Sequence, residues 1–214
     1  MSDDVVVVVL YGDAGCFTDP LSHVERVSYP FLTPSAALGI LKAIFGKPEF
    51  WYRIIQIEIL NPIQYESIVT NELNCVPSIK MIEEGFSPAR YRTQRHSRIL
   101  RNIAYVVRAI PQLSDEGIEK NENIIRYIKQ SRRRISWGQY HAKPYFGMSD
   151  FPAEHRAADG TETPADINED FGRILQGVIR KNGKMIPMTC RAVIKHGIFE
   201  VPQEFYDKYG RTCC

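Results

Sequence analysis

Residues 33–48 read TPSAALGILKAIFGKP, and this stretch decides the fold. Thr33 is a good helix N-cap, and Pro34 suits the first helical position because proline has no N–H to leave unpaired. Leu38, Leu41 and Phe45 recur at helical spacing, and Gly46 with Pro48 closes the run. The pattern predicts a helix over 34–45. Upstream, VVVVVL at 5–10 is short, apolar and β-branched, which predicts a buried strand. A turn at Gly12-Asp13-Ala14-Gly15 follows it. Downstream, WYRIIQIEIL at 51–60 sets Ile55, Ile57 and Ile59 against Gln56 and Glu58, a strand with one buried face.

Further along, Arg98 to Ile110 reads as a third strand, with Ile103, Tyr105 and Val107 on one face. Asn121 to Ser136 has a helical pattern with Ile124, Ile125 and Ile128 as its apolar stripe. Residues 71–89 carry weak periodicity and several breakers, which predicts an irregular insertion near 64–89. Residues 154–170 are acidic and hold Gly and Pro, which predicts a loop. Phe171 to Ile179 and Met185 to Ile194 read as a hairpin about Asn182-Gly183, since Asn-Gly favours a type I′ turn. A tight turn at His196-Gly197 leads into Ile198 to Val201. Strand, helix, strand, strand, helix fits an α+β sandwich of the ferredoxin-like (RRM-like) kind over 1–150, with a small β-rich extension over 151–214.

The 214 residues are 44% hydrophobic, enough for a real core. No run of 18 apolar residues occurs, and the valine run lacks the positive flank of a signal peptide, so a cytoplasmic protein is expected. Cys16, Cys75, Cys190, Cys213 and Cys214 form no C-x-x-C and, with five scattered histidines, no zinc spacing. Free thiols are expected, with no metal and no cofactor.

The net charge of +2 hides its distribution. Residues 89–110 hold six arginines and no acid; residues 120–143 hold seven Lys or Arg and one acid, Glu122. Six acids gather in 153–170. Such a split points to a polyanion on one face. Arg90, Arg92, Arg95, Arg98 and Arg101 cannot share one strand face at spacings of two and three, so part of that run is expected to be loop. On a helix, Arg126, Lys129 and Arg133 do share a face, with Arg132 and Arg134 beside them. A solvated surface and a helix-dipole role are the plain accounts of these cations. Guanidinium forks also bind phosphate, and interleaved aromatics can stack bases, with Trp137 and Tyr140 the best placed. No G-x-S-x-G, Walker A or H-E-x-x-H is present. Metal-free RNA cleavage needs only a base, a cation and an acid, which a basic helix can host.

Several separated blocks then fall in a familiar order. They are YGDAGCFTDP (11–20), VERVSYP (24–30), TPSAALGILKAIFGKP (33–48), residues 95–108, RRRISWGQ (132–139), PYFG (144–147) and FPA (151–153). Together the chain resembles CRISPR-associated protein 5 of the type I-C systems over most of 5–202. The resemblance implies a ferredoxin-like repeat-associated (RAMP) domain that holds the 5′ handle of guide RNA. It implies contacts with the backbone-forming and large subunits of the surveillance complex, and with target DNA through that complex. It implies metal-free cutting of the precursor repeat RNA. Active members keep a Tyr, or in some a His, near the end of the first helix, where this chain has Phe45, and a Lys-His pair that falls on Arg126 and Tyr127. Arginine keeps the charge but shuttles no proton near neutrality, whereas tyrosine can exchange one. The resemblance thus implies RNA contacts at Arg26, Lys47, Arg92, Arg95, Arg126, Arg132, Arg133, Arg134 and Trp137. It implies a cleavage site in which Arg126 steadies phosphorane charge and Tyr127 is acid or base. The alternatives are a structural subunit without catalysis and a generic single-strand RNA-binding domain.

Overall fold

The structure is a computed structural model that describes residues 4–20, 22, 25–181 and 183–210. Val24, Asn182, Cys213 and Cys214 lie outside the described residues. In chain order the elements are β1 (Val6–Gly15), β2 (Arg26–Val27), α1 (Pro34–Ile44), β3 (Phe50–Ile59), β4 (Gln64–Leu73), α2 (Ile79–Glu83), β5 (Arg92–Leu113), α3 (Asp115–Glu119), α4 (Ile124–Ser136), β6 (Glu154–Ala157), β7 (Glu169–Lys181), β8 (Lys184–Ile194), β9 (Ile198–Glu200) and α5 (Glu204–Tyr209).

The main sheet runs β6-β1-β5-β3-β9, with β2 and β4 also paired to β5. All of its pairings are antiparallel except β2 with β5. β5 is 22 residues long, and its two halves serve different neighbours. Residues 100–109 pair with β1 and 105–113 with β3, while 92–101 pair with β4 in an arm beyond the core. β7 and β8 form a separate two-stranded sheet, and β7 packs over α1. The expected loop at 154–170 therefore gives up its start to β6, and the extension over 151–214 returns β6 and β9 to the main sheet.

Local chemistry sets the helices. Thr33 caps α1 by accepting the Ala36 N–H at 3.2 Å, and Asn123 caps α4 by accepting from Ile125 at 2.9 Å. The helix expected from 121 thus begins at Ile124, behind its cap. Its buried stripe is Tyr127, Ile128, Ser131 and Ile135, and Ile125 faces solvent. In β3 a bulge between Ile54 and Gln56 breaks the simple alternation. Ile54, Ile57 and Ile59 are buried, whereas Ile55 is half-buried.

The irregular insertion near 64–89 is also corrected. Its first part is the regular strand β4, and the arginine run opposite is the strand β5 from Arg92 onward, with only Arg90 in a 3-10 turn. The arginines do split between faces: Arg92 and Arg98 fall on one side, Arg95 and Arg101 on the other. The alternation of a strand splits them, with no loop needed.

One buried polar node ties the helices together. Tyr52 Oη of β3 donates to the Phe45 carbonyl at 2.9 Å and meets Ser131 Oγ at 2.8 Å. Ser131 Oγ also lies 2.8 Å from the Tyr127 carbonyl. Two hydroxyl protons serve three contacts, so the node is shared between the end of α1 and the middle of α4. Tyr52→Phe leaves the Phe45 carbonyl unpaired in the core and is expected to cost about 1–3 kcal/mol by urea denaturation.

On β6, His155 is buried against Tyr140, and its Nε2 has no hydrogen-bond partner among the described residues. Burial pulls its imidazole below the ordinary 6.5, outweighing the Gln139 backbone contact and the Glu154 charge that pull it up. The unfolded chain then takes up this proton more readily than the native state, so acid favours unfolding. Stability is expected to be full above 6.5 and to fall as pH drops below it. In His155→Phe, urea midpoints measured across that range should decline less steeply.

Candidate nucleic-acid interface

The arginines of 89–110 have no acid near them in sequence, yet the sheet supplies several. Glu72 of β4 lies opposite Thr93 and diagonal to Arg95, and its carboxylate meets Arg95 at 3.3 Å. Glu66 lies opposite Ile99 and holds Arg101 at 3.2 Å. Glu58 of β3 holds Arg108 at 2.7 Å in the same diagonal relation. Diagonal neighbours on antiparallel strands are within reach of long side chains. Glu72 also pairs with Arg26 of β2 at 3.0 Å, so one carboxylate serves two predicted RNA contacts. Arg98 lies over the Tyr65 ring at 4.0 Å, and Arg92 stands exposed at the start of β5.

The α4 surface is different. Arg126, Lys129, Arg132 and Arg133 are all exposed. Arg126 has a single loose ion pair, 3.9 Å from Glu122. Arg133 lies over the Trp137 ring at 5.4 Å, and Trp137, the C-cap residue, is 65% exposed. Arg132 reaches the Val5 carbonyl at 2.9 Å. Arg134 turns inward: it lies over the Phe45 ring at 5.0 Å and reaches the Ile44 carbonyl at 3.4 Å. Lys47 is exposed in the turn between α1 and β3. The site residues thus fall into two groups, one on the β5 arm and one on α4. The loop after α4 runs between them, from Trp137 to Met148, whose sulfur touches Arg26 at 3.4 Å.

Phe45 and Tyr127 come together, while Arg126 points outward beside them. The Tyr127 ring stacks on Phe50 at 4.8 Å and on Phe45 at 6.5 Å. Tyr127 is only 6% exposed, so its ring belongs to the core. Burial first, and then the Glu122 carboxylate that accepts a hydrogen bond from its phenol, push Tyr127 above the ordinary tyrosine range. It stays protonated at neutral pH.

Two features escaped the linear reading. His141 is exposed and sits at the C-terminal end of α1, its backbone N–H directed at the Ala43 and Ile44 carbonyls at 2.9 and 3.2 Å. Nothing in the local sequence links it to α1. The hairpin tip carries Arg180, Lys181 and Lys184, all exposed. Here a signal was present, since residues 171–199 contain no Asp or Glu. Among the described residues no group of three or more His, Cys, Asp or Glu gathers as a metal site, and no helix is long and apolar enough to cross a membrane.

Neutralising Glu72 should release two guanidinium groups at once. Glu72→Gln is expected to tighten poly(U) binding at low salt. It should also steepen the slope of log binding constant against log salt by roughly 0.7 for each arginine newly on a phosphate. Equal slopes would mean that Arg26 and Arg95 are held away from RNA.

Comparison with known proteins identifies the family. A relative from Thermus thermophilus is 34% identical over 222 residues, covering 95% of this chain and 94% of its own. A second, from Mannheimia succiniciproducens, is 32% identical over 220 residues, covering 94% and 96%. Both are named CRISPR pre-crRNA endoribonuclease Cas5d. A crystal structure of a CRISPR-associated protein matches the fold with TM-score 0.69 at 16% identity, covering 92% of this chain and 91% of that one. A chain of a CRISPR RNA-guided surveillance complex matches with TM-score 0.55 at 11% identity, with the same coverage. The Cas5d model of CRISPR-associated proteins matches residues 5–202, nearly the whole chain, and with relatives this similar along their full length the chain belongs to the Cas5d family.

Proposed function

We propose that this chain grips the 5′ handle of CRISPR guide RNA and cuts the precursor repeat RNA, as a subunit of a Cascade-type surveillance complex in antiviral defence. The observation that carries the reading is the α4 surface, an exposed file of Arg126, Lys129 and Arg133 that ends in the open Trp137 ring. Guanidinium groups hold phosphates, and an exposed indole offers a stacking plane to any base. The names of the two relatives support the cleavage half of the reading.

The finer architecture follows the same proposal. The path β1-α1-β3-β5-α4-β6, with spatial order β6-β1-β5-β3, supports a ferredoxin-like RAMP core that lies mostly in 1–150 and is completed by β6 at Glu154–Ala157. Residues 151–214 are then an appended β element that lends strands back to that core. The arm formed by β4 and β5 is the surface we assign to the backbone-forming or large subunit. Val69, Leu73, Val76, Ile79 and Ile82 are exposed along it, more apolar surface than a solvated arm needs. Target DNA is reached through the assembled complex, in the cytoplasm.

For cleavage, the 2′-hydroxyl must lose a proton, the phosphorane must be steadied, and the leaving 5′-oxygen must gain a proton. Arg126 is assigned the phosphorane charge. Tyr127 keeps its proton at neutral pH, so the role open to it is the acid. His141, whose backbone is bonded to the end of α1, carries an imidazole and is assigned the base. A second reading, a binding subunit without catalysis, is favoured by one observation: Phe45 offers no ionisable group, and Tyr127 is buried in its stack.

Purified protein incubated with repeat RNA in EDTA decides between the readings. One discrete cut is expected, slowed on the order of 100-fold or more in Arg126→Ala and in His141→Ala. Tyr127→Phe keeps the stack and should slow only the step that expels the 5′-oxygen. Repeat RNA that is bound but left intact supports the structural subunit. Equal affinity for unrelated RNA leaves a generic RNA-binding domain, because phosphate contacts carry no sequence information.

A further inference from the structure

A cavity of about 480 Å³ lies between α1, the loop over 142–147 and Leu175 of β7. That is within the range of small-ligand sites, roughly 300–1,000 Å³. Its floor is one face of α1, where Ala36, Gly39 and Ala43 recur at helical spacing. Tyr29 and Tyr145 stand in its walls, Lys143 lines it from the loop, and no carboxylate lines it.

Gly39 is the unexplained residue of this floor. Glycine is the poorest helix former after proline, yet Gly39 sits in the middle of α1. It does not have a positive φ, and a Cβ built there meets nothing within 4 Å. Neither backbone conformation nor close packing calls for a glycine. Gly39 is exposed on the floor of the cavity, so a long side chain there would stand at its open side.

Apart from Lys143, the polar groups of the lining are uncharged. The Tyr29 phenol donates to the Asp19 carboxylate, and burial together with that charge pushes it up to about 12. The Cys16 thiol is buried against the Thr18 hydroxyl at 3.5 Å. Tyr145, 48% exposed, keeps part of its ring open. The cavity also adjoins the α4 site, because the Ala142 N–H is bonded to the Ala43 carbonyl at 3.0 Å next to the His141 contact. A strand lying along α4 would meet the cavity at the end of α1.

A slot with an aromatic rim, small-residue floor, one cation and no acid fits a flat neutral ring that carries a phosphate. We propose that this cavity receives one unpaired nucleobase of the bound RNA, stacked on Tyr145, with the adjoining phosphate on Lys143. The proposal rests on the RNA-binding reading above and adds to it a site that singles out one nucleotide.

The test is an abasic scan. Repeat RNA carrying a single abasic nucleotide, moved along the sequence, is titrated against wild-type protein, Gly39→Leu and Tyr145→Ala. In wild type, loss of one particular base is expected to weaken binding roughly tenfold. Gly39→Leu should weaken binding of the intact RNA by a similar factor and remove the penalty at that one position while leaving the others unchanged. Tyr145→Ala, a change at an exposed residue that leaves the floor as it is, should shrink the same penalty. Gly39→Ala should raise the Tm and weaken RNA binding less than leucine does. An unchanged scan in folded Gly39→Leu or in Tyr145→Ala overturns the cavity assignment, including the case where the slot takes a side chain from a partner protein. Failure of wild type to bind intact repeat RNA overturns the proposed function itself, and the cavity assignment falls with it.

Discussion

The backbone ladder of β5 is the constraint on which the other elements depend. Its 22 residues present two edges, and both are occupied: β1 and β2 on one, β3 and β4 on the other. A buried strand must pair its N–H and C=O groups, so the length of β5 fixes where its neighbours can start and stop. The C-terminal half is buried between β1 and β3 and carries the core, with Tyr105, Val107 and Ala109 all inside. The N-terminal half has β4 alone for most of its length and becomes an arm. Core and arm are two ends of one strand, so the arm projects from a rigid base.

That arrangement also divides the cations. On the arm, the strand register places glutamates diagonal to arginines, and Glu66 and Glu72 quench much of the charge. On α4 the buried stripe takes Tyr127, Ile128, Ser131 and Ile135, which turns Arg126, Lys129 and Arg133 outward without comparable carboxylate partners among the described residues. The exposed Arg101–Glu66 pair costs little to break, whereas Glu72 holds Arg26 and Arg95 in part-buried pairs, so the arm offers less free charge than α4. The shared node of Tyr52, Ser131 and the Phe45 carbonyl holds α1 against α4. The α1 end, His141 and the basic helix are therefore one surface and not three.

The positions at which the resemblance puts the cleavage site lie partly in the core. Phe45 and Tyr127 still meet across the α1–α4 contact. Their rings now make a buried stack with Phe50, where the related positions would offer ionisable groups. The stack belongs to the core, Arg134 packs on it from within, and Arg126 stays exposed outside it.

Much of this was legible in the sequence. Thr33, Pro34 and the leucine spacing determined α1, because capping and periodicity are local physics. The valine run determined β1, the blocks from 11 to 153 determined the family, and the arginine count of 120–143 marked the basic helix. The arm was missed because β4 carries polar and apolar residues on a strand with no deep core beside it, so its regularity comes from pairing with β5 and not from its own pattern. The acids that quench Arg26, Arg95 and Arg101 lie 23 to 46 residues away, a distance only strand register can close. The burial of Tyr127, the approach of His141 to α1 and the cavity over Gly39 were likewise decided by tertiary structure. Sequence fixes which groups are present and how each segment prefers to fold; which charges stay open to a ligand depends on contacts between segments that no local pattern encodes.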